Sequence, residues 1–66
     1  MNVNKLRGKL VENGMKVETL AELIGVDRSS MYRKLNNFEK VTIGEASKIK
    51  TVLNLSNEDA TDIFLA

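Results

Sequence analysis

The feature that most limits how this chain can fold is an interruption. Residues 20–37 read LAELIGVDRSSMYRKLNN, in which Leu20, Ala21, Leu23 and Ile24 form an apolar helical segment that stops at Gly25. Within three residues a second, polar segment begins, carrying Arg28, Ser29, Ser30, Tyr32, Arg33 and Asn36. Asp27 is well placed to cap this second helix by accepting a hydrogen bond from the amide of Ser29 or Ser30. Two helices joined by so tight a Gly-containing turn cross steeply, so the first braces the second and leaves the second's outer face projecting from the domain. Ala21 is small enough to let the helices approach, Gly25 supplies the positive φ of the turn, and Val26 pins the turn to the core.

Helical spacing dominates the rest of the chain, which has no proline and only short strand-like alternation. Val3, Leu6 and Leu10 recur at i, i+3 and i+7 after Asn2 and predict a first helix over roughly residues 3–13. Gly14 follows as its left-handed terminator and Met15 turns inward. Val17 joins Leu20, Ala21 and Ile24 in the second stripe, and Met31 and Leu35 are the apolar i, i+4 pair of the third helix. Beyond a loop around Asn36 to Val41, Thr42-Ile43-Gly44-Glu45 has the T-x-x-E spacing of a capping box. Ile43, Ala46, Ile49 and Leu53 continue as a fourth stripe that Asn54 can close. Ser56-Asn57-Glu58-Asp59 then opens a short fifth helix with Ala60, Ile63 and Phe64. The expectation is an all-α, five-helix bundle forming a single domain over residues 1–66, with a helix-turn-helix at about 17–36.

At 66 residues the chain has room for one core, because a domain of this size buries only about 60% of the surface its unfolded chain exposes. It contains no Cys and no His, which removes disulfides, thiolate metal sites and the usual general base. Glu18 and Glu22 lie one turn apart, as do Glu58 and Asp62, and paired carboxylates can do acid–base chemistry or hold a metal. Here they read as surface residues of amphipathic helices. Without a Gly-rich phosphate loop or space for a deep pocket, neither catalysis nor a cofactor, metal or small-molecule substrate is expected. No apolar run approaches the ~20 residues of a membrane helix, and the N-terminal NVNKLRGKL lacks a secretory apolar core, so a cytoplasmic protein with no membrane partner is expected. The net charge of +1 hides an asymmetry: residues 1–40 carry eight Lys or Arg against five acids, whereas residues 41–66 carry two against four. A basic end suits a polyanion.

The stretch LAELIGVDRSSMYRKLNN resembles the L-A-x-x-L-G-V-S-x-x-x-I motif of Cro and phage-repressor helix-turn-helix proteins, especially small all-helical versions from temperate phages of Gram-positive bacteria. The likeness extends more loosely over nearly the whole chain, and the tail LNLSNEDATDIFLA is similar to the family's ending, a short fifth helix packed back on the bundle. The resemblance implies a lambda-repressor-like DNA-binding domain that binds double-stranded operator DNA, usually as a homodimer, and regulates transcription. Three positions depart from the pattern. The buried residue commonly found three positions after Met31 is Lys34 here, with Leu35 next; the cap of the second helix falls on Lys16 rather than Ser or Thr; and Val17 replaces a Gln that often touches phosphate.

The first departure leaves two rotations of the third helix open, at about 100° per residue. With Met31 and Leu35 inward, the outward direction points at Arg33, with Ser29 and Asn37 on either side. With Lys34 packed beside Met31, it falls close to Ser29 and Asn36, with Arg33 and Tyr32 flanking. Arg33 is the first choice for reading bases, since its guanidinium can donate two parallel hydrogen bonds to guanine O6 and N7. Ser29, Arg28 and Tyr32 complete the base-reading candidates. Asn36, Asn37, Lys16, Lys34 and Lys40 are candidates for backbone contacts that fix register. The plainer alternatives are solvated polar residues throughout, a salt bridge from Arg33 to Glu39, and flank packing for Tyr32. Leu23, Phe38, Val41 and Leu65 are spare apolar residues available to a dimer surface, although core packing is equally open to Phe38 and Val41. The alternative function is a protein-binding adaptor or antirepressor that uses the same helix, a reading that the basic charge of residues 28–40 disfavours.

Overall fold

The computed structural model describes residues 2–65, the side chain of Glu39 excepted. Five α-helices follow one another: α1 (Val3–Glu12), α2 (Val17–Ile24), α3 (Arg28–Asn36), α4 (Ile43–Val52) and α5 (Asn57–Phe64). A short 3₁₀ turn (Phe38–Lys40) lies between α3 and α4, and there is no strand among the described residues.

Four of the five helices start on a side-chain cap. The Asn2 carboxamide oxygen accepts from the Lys5 amide at 3.0 Å, and the Ser56 hydroxyl accepts from the Asp59 amide at 3.0 Å. Asp27 accepts from Ser29 at 3.0 Å and from Ser30 at 3.4 Å, as the sequence predicts. The capping box also forms: the Glu45 amide donates to Thr42 Oγ1 at 3.1 Å, and the Thr42 amide donates back to Glu45 Oε1 at 3.0 Å. Each such cap stabilises its helix by about 1 kcal/mol. Only α2 begins without one, at Lys16.

Helix ends repeat a single device three times. Gly14 (φ 60°), Gly25 (φ 76°) and Asn54 (φ 52°) adopt the left-handed conformation. The amide of the next residue then reaches back five positions: Met15 to the Leu10 carbonyl at 2.8 Å, Val26 to Ala21 at 2.9 Å, and Leu55 to Lys50 at 2.9 Å. This is the Schellman arrangement, which satisfies carbonyls left over at a helix end and turns the following apolar side chain inward. Met15 and Val26 pack against the core, and Leu55 is part of it. The sequence reading recognised the first two cases and overlooked Leu55.

All five helices feed one cluster, in which Leu6, Leu20, Met31, Ile49 and Ile63 are the largest fully enclosed side chains. Packing of α2 against both α3 and α4 makes it the central brace, while α5 returns to α1. The α1–α5 seam is reinforced by charge: Lys5 Nζ lies 2.7 Å from Asp62 and 3.3 Å from Asp59, and Lys9 Nζ lies 3.0 Å from Asp59 and 3.2 Å from Glu12. The Asn2 amide closes the seam by donating to the Ile63 carbonyl at 2.8 Å.

One expectation is corrected and one open alternative is decided. Ile43, placed in the fourth stripe, is 91% exposed. At about 100° per residue it sits roughly 120° around the helix from Ile49, so the inward stripe begins only at Ala46. Phe38, open to either a dimer surface or the core, takes the core: it is partly buried there and stacks on Phe64, with ring centroids 5.6 Å apart and planes 18° from parallel.

Candidate nucleic-acid interface

The rotation of α3 follows from what it buries. Met31 and Leu35 are 1% and 3% exposed, whereas the Lys34 side chain retains 21% exposure. The core therefore grips α3 through the i, i+4 pair, and the helix's outward direction points at Arg33. Ser29 and Asn37 flank it, and both are exposed together with Arg28, Tyr32, Arg33 and Asn36. Of the four base-reading candidates, Arg33 and Ser29 lie on the outward face, whereas Tyr32 and Arg28 are exposed but fall toward its edge.

Within that surface the side chains are not equally fixed. Arg33 Nη2 donates to Ser30 Oγ at 3.2 Å, a contact within α3 that sequence reasoning did not identify. Its suggested salt bridge partner, the Glu39 side chain, lies outside the described residues. Arg33, Lys34, Asn37 and Lys40 converge with Ser30 around an open hollow of about 330 Å³ at the C-terminal end of α3. Lys16 belongs to a different place, the uncapped start of α2.

Tyr32 stands at the border between α3 and α2. Hydrogen bonding to the Glu18 carboxylate, followed by desolvation, raises its phenol above the ordinary value. Glu18 is held below the usual carboxylate range, first by hydrogen bonding to its own backbone amide and then by Tyr32. The positive charges of Arg28 and Arg7 oppose the shift of the phenol, which places Arg7 of α1 within electrostatic reach of the same corner. Neither Glu18 nor Arg7 was a site candidate. Arg7 is exposed on the flank of α1, about 80° around from the centre of the Leu6–Leu10 stripe, and nothing in its local sequence singles it out.

Lys34 was expected to be available to a nucleic-acid backbone. In the structure its ammonium is already paired with the Glu45 carboxylate, the same group that closes the capping box of α4. The two side chains are 21% and 17% exposed. Lys34 together with the Thr42 amide holds the Glu45 carboxyl below its usual range.

A larger groove, about 600 Å³, opens between α4 and α5, away from the α3 surface. It is mostly apolar and is rimmed by Ile43 and Leu65, which is 80% exposed. Its one charged lining residue, Lys50, donates a hydrogen bond to Asn57. Leu23 is also exposed, on α2. Among the described residues no helix is long and apolar enough to cross a membrane.

A projecting α3 braced through Ala21 and a left-handed Gly25, and carrying exposed Arg28 and Arg33, is the arrangement by which helix-turn-helix proteins present side chains to the major groove. Comparison of the sequence with known families agrees: the Cro/C1-type HTH DNA-binding domain matches residues 5–63. No curated protein and no solved structure matches the chain. The family match runs from within α1 through α2, α3 and α4 into α5, and with the geometry it establishes that this chain belongs to the Cro/C1-type HTH DNA-binding family and is a helix-turn-helix transcription regulator.

Proposed function

We propose that residues 1–66 act as a single sequence-specific domain which inserts α3 into the major groove of double-stranded operator DNA, in the manner of a phage or prophage Cro or repressor. Arg33 is the principal base reader, with Ser29, Arg28 and Tyr32 beside it; Asn36, Asn37, Lys16 and Lys40 contact the backbone. One observation carries the reading: burial of Met31 and Leu35 leaves Arg33 at the outermost point of α3. A single recognition helix spans only a few base pairs, and related phage repressors pair two half-sites about one helical turn apart, so the active form is a homodimer on DNA. The setting is cytoplasmic, and the protein works by binding rather than catalysis.

Titration of the protein with a mixed-sequence duplex across a salt series tests the class of function. Affinity should fall steeply with salt, since each neutralised phosphate releases counterions. Amide shifts recorded in the same titration should concentrate in residues 28–37. Absence of binding even at low salt would point instead to a protein-binding adaptor. Footprinting on candidate operator DNA then reports half-site length and symmetry, hence stoichiometry.

A further inference from the structure

We infer that Glu45 is a specificity-determining positioning residue: it withholds Lys34 from the DNA backbone and uses it to tie α3 to the start of α4. This inference rests on the DNA-binding reading above.

Three observations converge on it. First, the Glu45 side chain is not free to move, because Oε1 accepts from the Thr42 amide at 3.0 Å while its own amide donates to Thr42 Oγ1 at 3.1 Å. A carboxylate fixed to the backbone in this way is an anchor rather than a mobile counter-ion. Second, Oε2 of this anchored carboxylate receives the Lys34 ammonium, and this is the one ion pair that joins α3 to another helix among the described residues. Third, α3 and α4 each pack on α2 but share little direct packing with each other, so a link between them constrains a freedom that the core leaves open.

The position of Lys34 gives the link its functional meaning. It lines the same hollow as Arg33, Asn37 and Lys40, next to the outward face of α3. An unpaired lysine there would add a sequence-independent attraction for phosphate, which raises affinity for every duplex alike. Paired to Glu45, it adds none, and the carboxylate offers local repulsion to a phosphate that approaches off register. Discrimination is a difference of affinities, so suppressing the common term sharpens it.

The test compares Lys34→Met, Glu45→Gln and the double variant with the unaltered protein, using a mixed-sequence 20-base-pair duplex, and reads the slope of log affinity against log salt concentration. Met keeps the apolar stem of Lys34, and Gln keeps an acceptor for the Thr42 amide. Lys34→Met alone should leave the slope unchanged. Glu45→Gln should steepen it by about 0.9, the increment for one added phosphate contact. The double variant should return to the original slope. A slope that becomes shallower in Lys34→Met would show that Lys34 already contacts phosphate and would overturn the inference. So would a gain in Glu45→Gln that persists in the double variant, since that gain would come from removal of a negative charge alone. The clamp can also be read without DNA, by NMR titration of the Glu45 carboxyl: its pKa should rise toward the ordinary range in Lys34→Met. If that rise occurs but no variant binds duplex, the DNA-binding reading fails; if duplex binds and the carboxyl does not respond, the clamp fails.

Discussion

Two surfaces of this small bundle use the same residue types in opposite ways. Along the α1–α5 seam the lysines are satisfied: Lys5 and Lys9 lie among Asp59, Asp62 and Glu12 at 2.7–3.3 Å. Around α2 and α3, Lys16, Arg28, Arg33 and Lys40 form no ion pair among the described residues. A satisfied cation has already exchanged water for a partner and offers little to a polyanion. An unsatisfied one releases counterions when a phosphate arrives. A tally of charge along the sequence finds a basic half but cannot separate these two populations, because the separation is made by where α5 returns.

The strongest way to break the comparison is to remove the brace from which the open surface projects. Leu20 of α2 is fully buried at the centre of the core, and truncation of such a leucine typically costs about 2–5 kcal/mol. For a domain of this size each kcal/mol lowers the melting temperature by roughly 4–8 °C. Leu20→Ala should therefore lose cooperative thermal unfolding by circular dichroism near physiological temperature, and DNA binding should disappear with it. A milder insult at the turn should act through the backbone alone. Gly25 has φ of 76°, yet a Cβ added there meets nothing within 4 Å. Gly25→Val should destabilise by about 1–3 kcal/mol from strain. Gly25→Asn should cost much less, since Asn tolerates the left-handed region. Equal melting temperatures for the two variants would mean that the turn relaxes freely.

On the open surface the effects should invert, touching binding and sparing the fold. Arg33→Ala removes an exposed side chain whose only described hydrogen bond is to Ser30, so stability should change by less than about 0.5 kcal/mol. Discrimination at the contacted base pair should fall by about 1–3 kcal/mol. Selection from a randomised duplex library measures this directly: the variant should yield a degenerate position where the unaltered protein yields guanine. A preserved consensus would show that another face of α3 reads the bases.

The contrast also explains how much could be read from the sequence. Helix starts were legible because a cap is local: Asp27 reaches only to Ser29 and Ser30, and Thr42 only to Glu45. The stripe of α2 and the turn at Gly25 were legible for the same reason. The rotation of α3 was not, since choosing between Lys34 and Leu35 requires knowing that Glu45, eleven residues away, presents a carboxylate to Lys34. Leu55 was missed although Gly14-Met15 and Gly25-Val26 announce the same ending, because Asn54 carries no obligatory sign of positive φ. Neither the choice left open for Phe38 nor the exposure of Ile43 could be read locally: an aromatic partner, Phe64, arrives from α5 to cover the first, and nothing in the described chain covers the second.

The seam itself should respond to pH and salt. Lys9 and then Lys5 hold the Asp59 carboxyl below its ordinary range, so its folded pKa is lower than its unfolded one. The stabilisation this provides is present above the ordinary carboxylate pKa and is lost as pH falls through the depressed folded value. Asp59→Asn should accordingly lower the melting temperature slightly at neutral pH and flatten its decline toward acid. Added salt should narrow the gap between variant and unaltered protein, because these pairs are partly exposed and screened. A gap that is unchanged between low and high salt would assign the effect to packing instead of charge.

The smallest expected effect lies where the two surfaces meet, at Tyr32. The Glu18 carboxylate comes close enough to the open surface to perturb a candidate reader, and hydrogen bonding to it raises the Tyr32 phenol above its ordinary value. Since a negative neighbour that accepts a hydrogen bond favours the protonated phenol, Glu18→Gln should lower the phenol's pKa. Arg28→Ala should raise it, because the Arg28 charge pulls in the opposite direction. Tyr32 is the only tyrosine, so ultraviolet titration reports it without assignment. If Glu18→Gln leaves the titration unmoved, Tyr32 is as unencumbered as Arg28 and belongs wholly to the open surface. If the pKa falls, the phenol has a partner to give up before its hydroxyl can meet a phosphate, and its contribution to binding should be correspondingly smaller than that of Arg33.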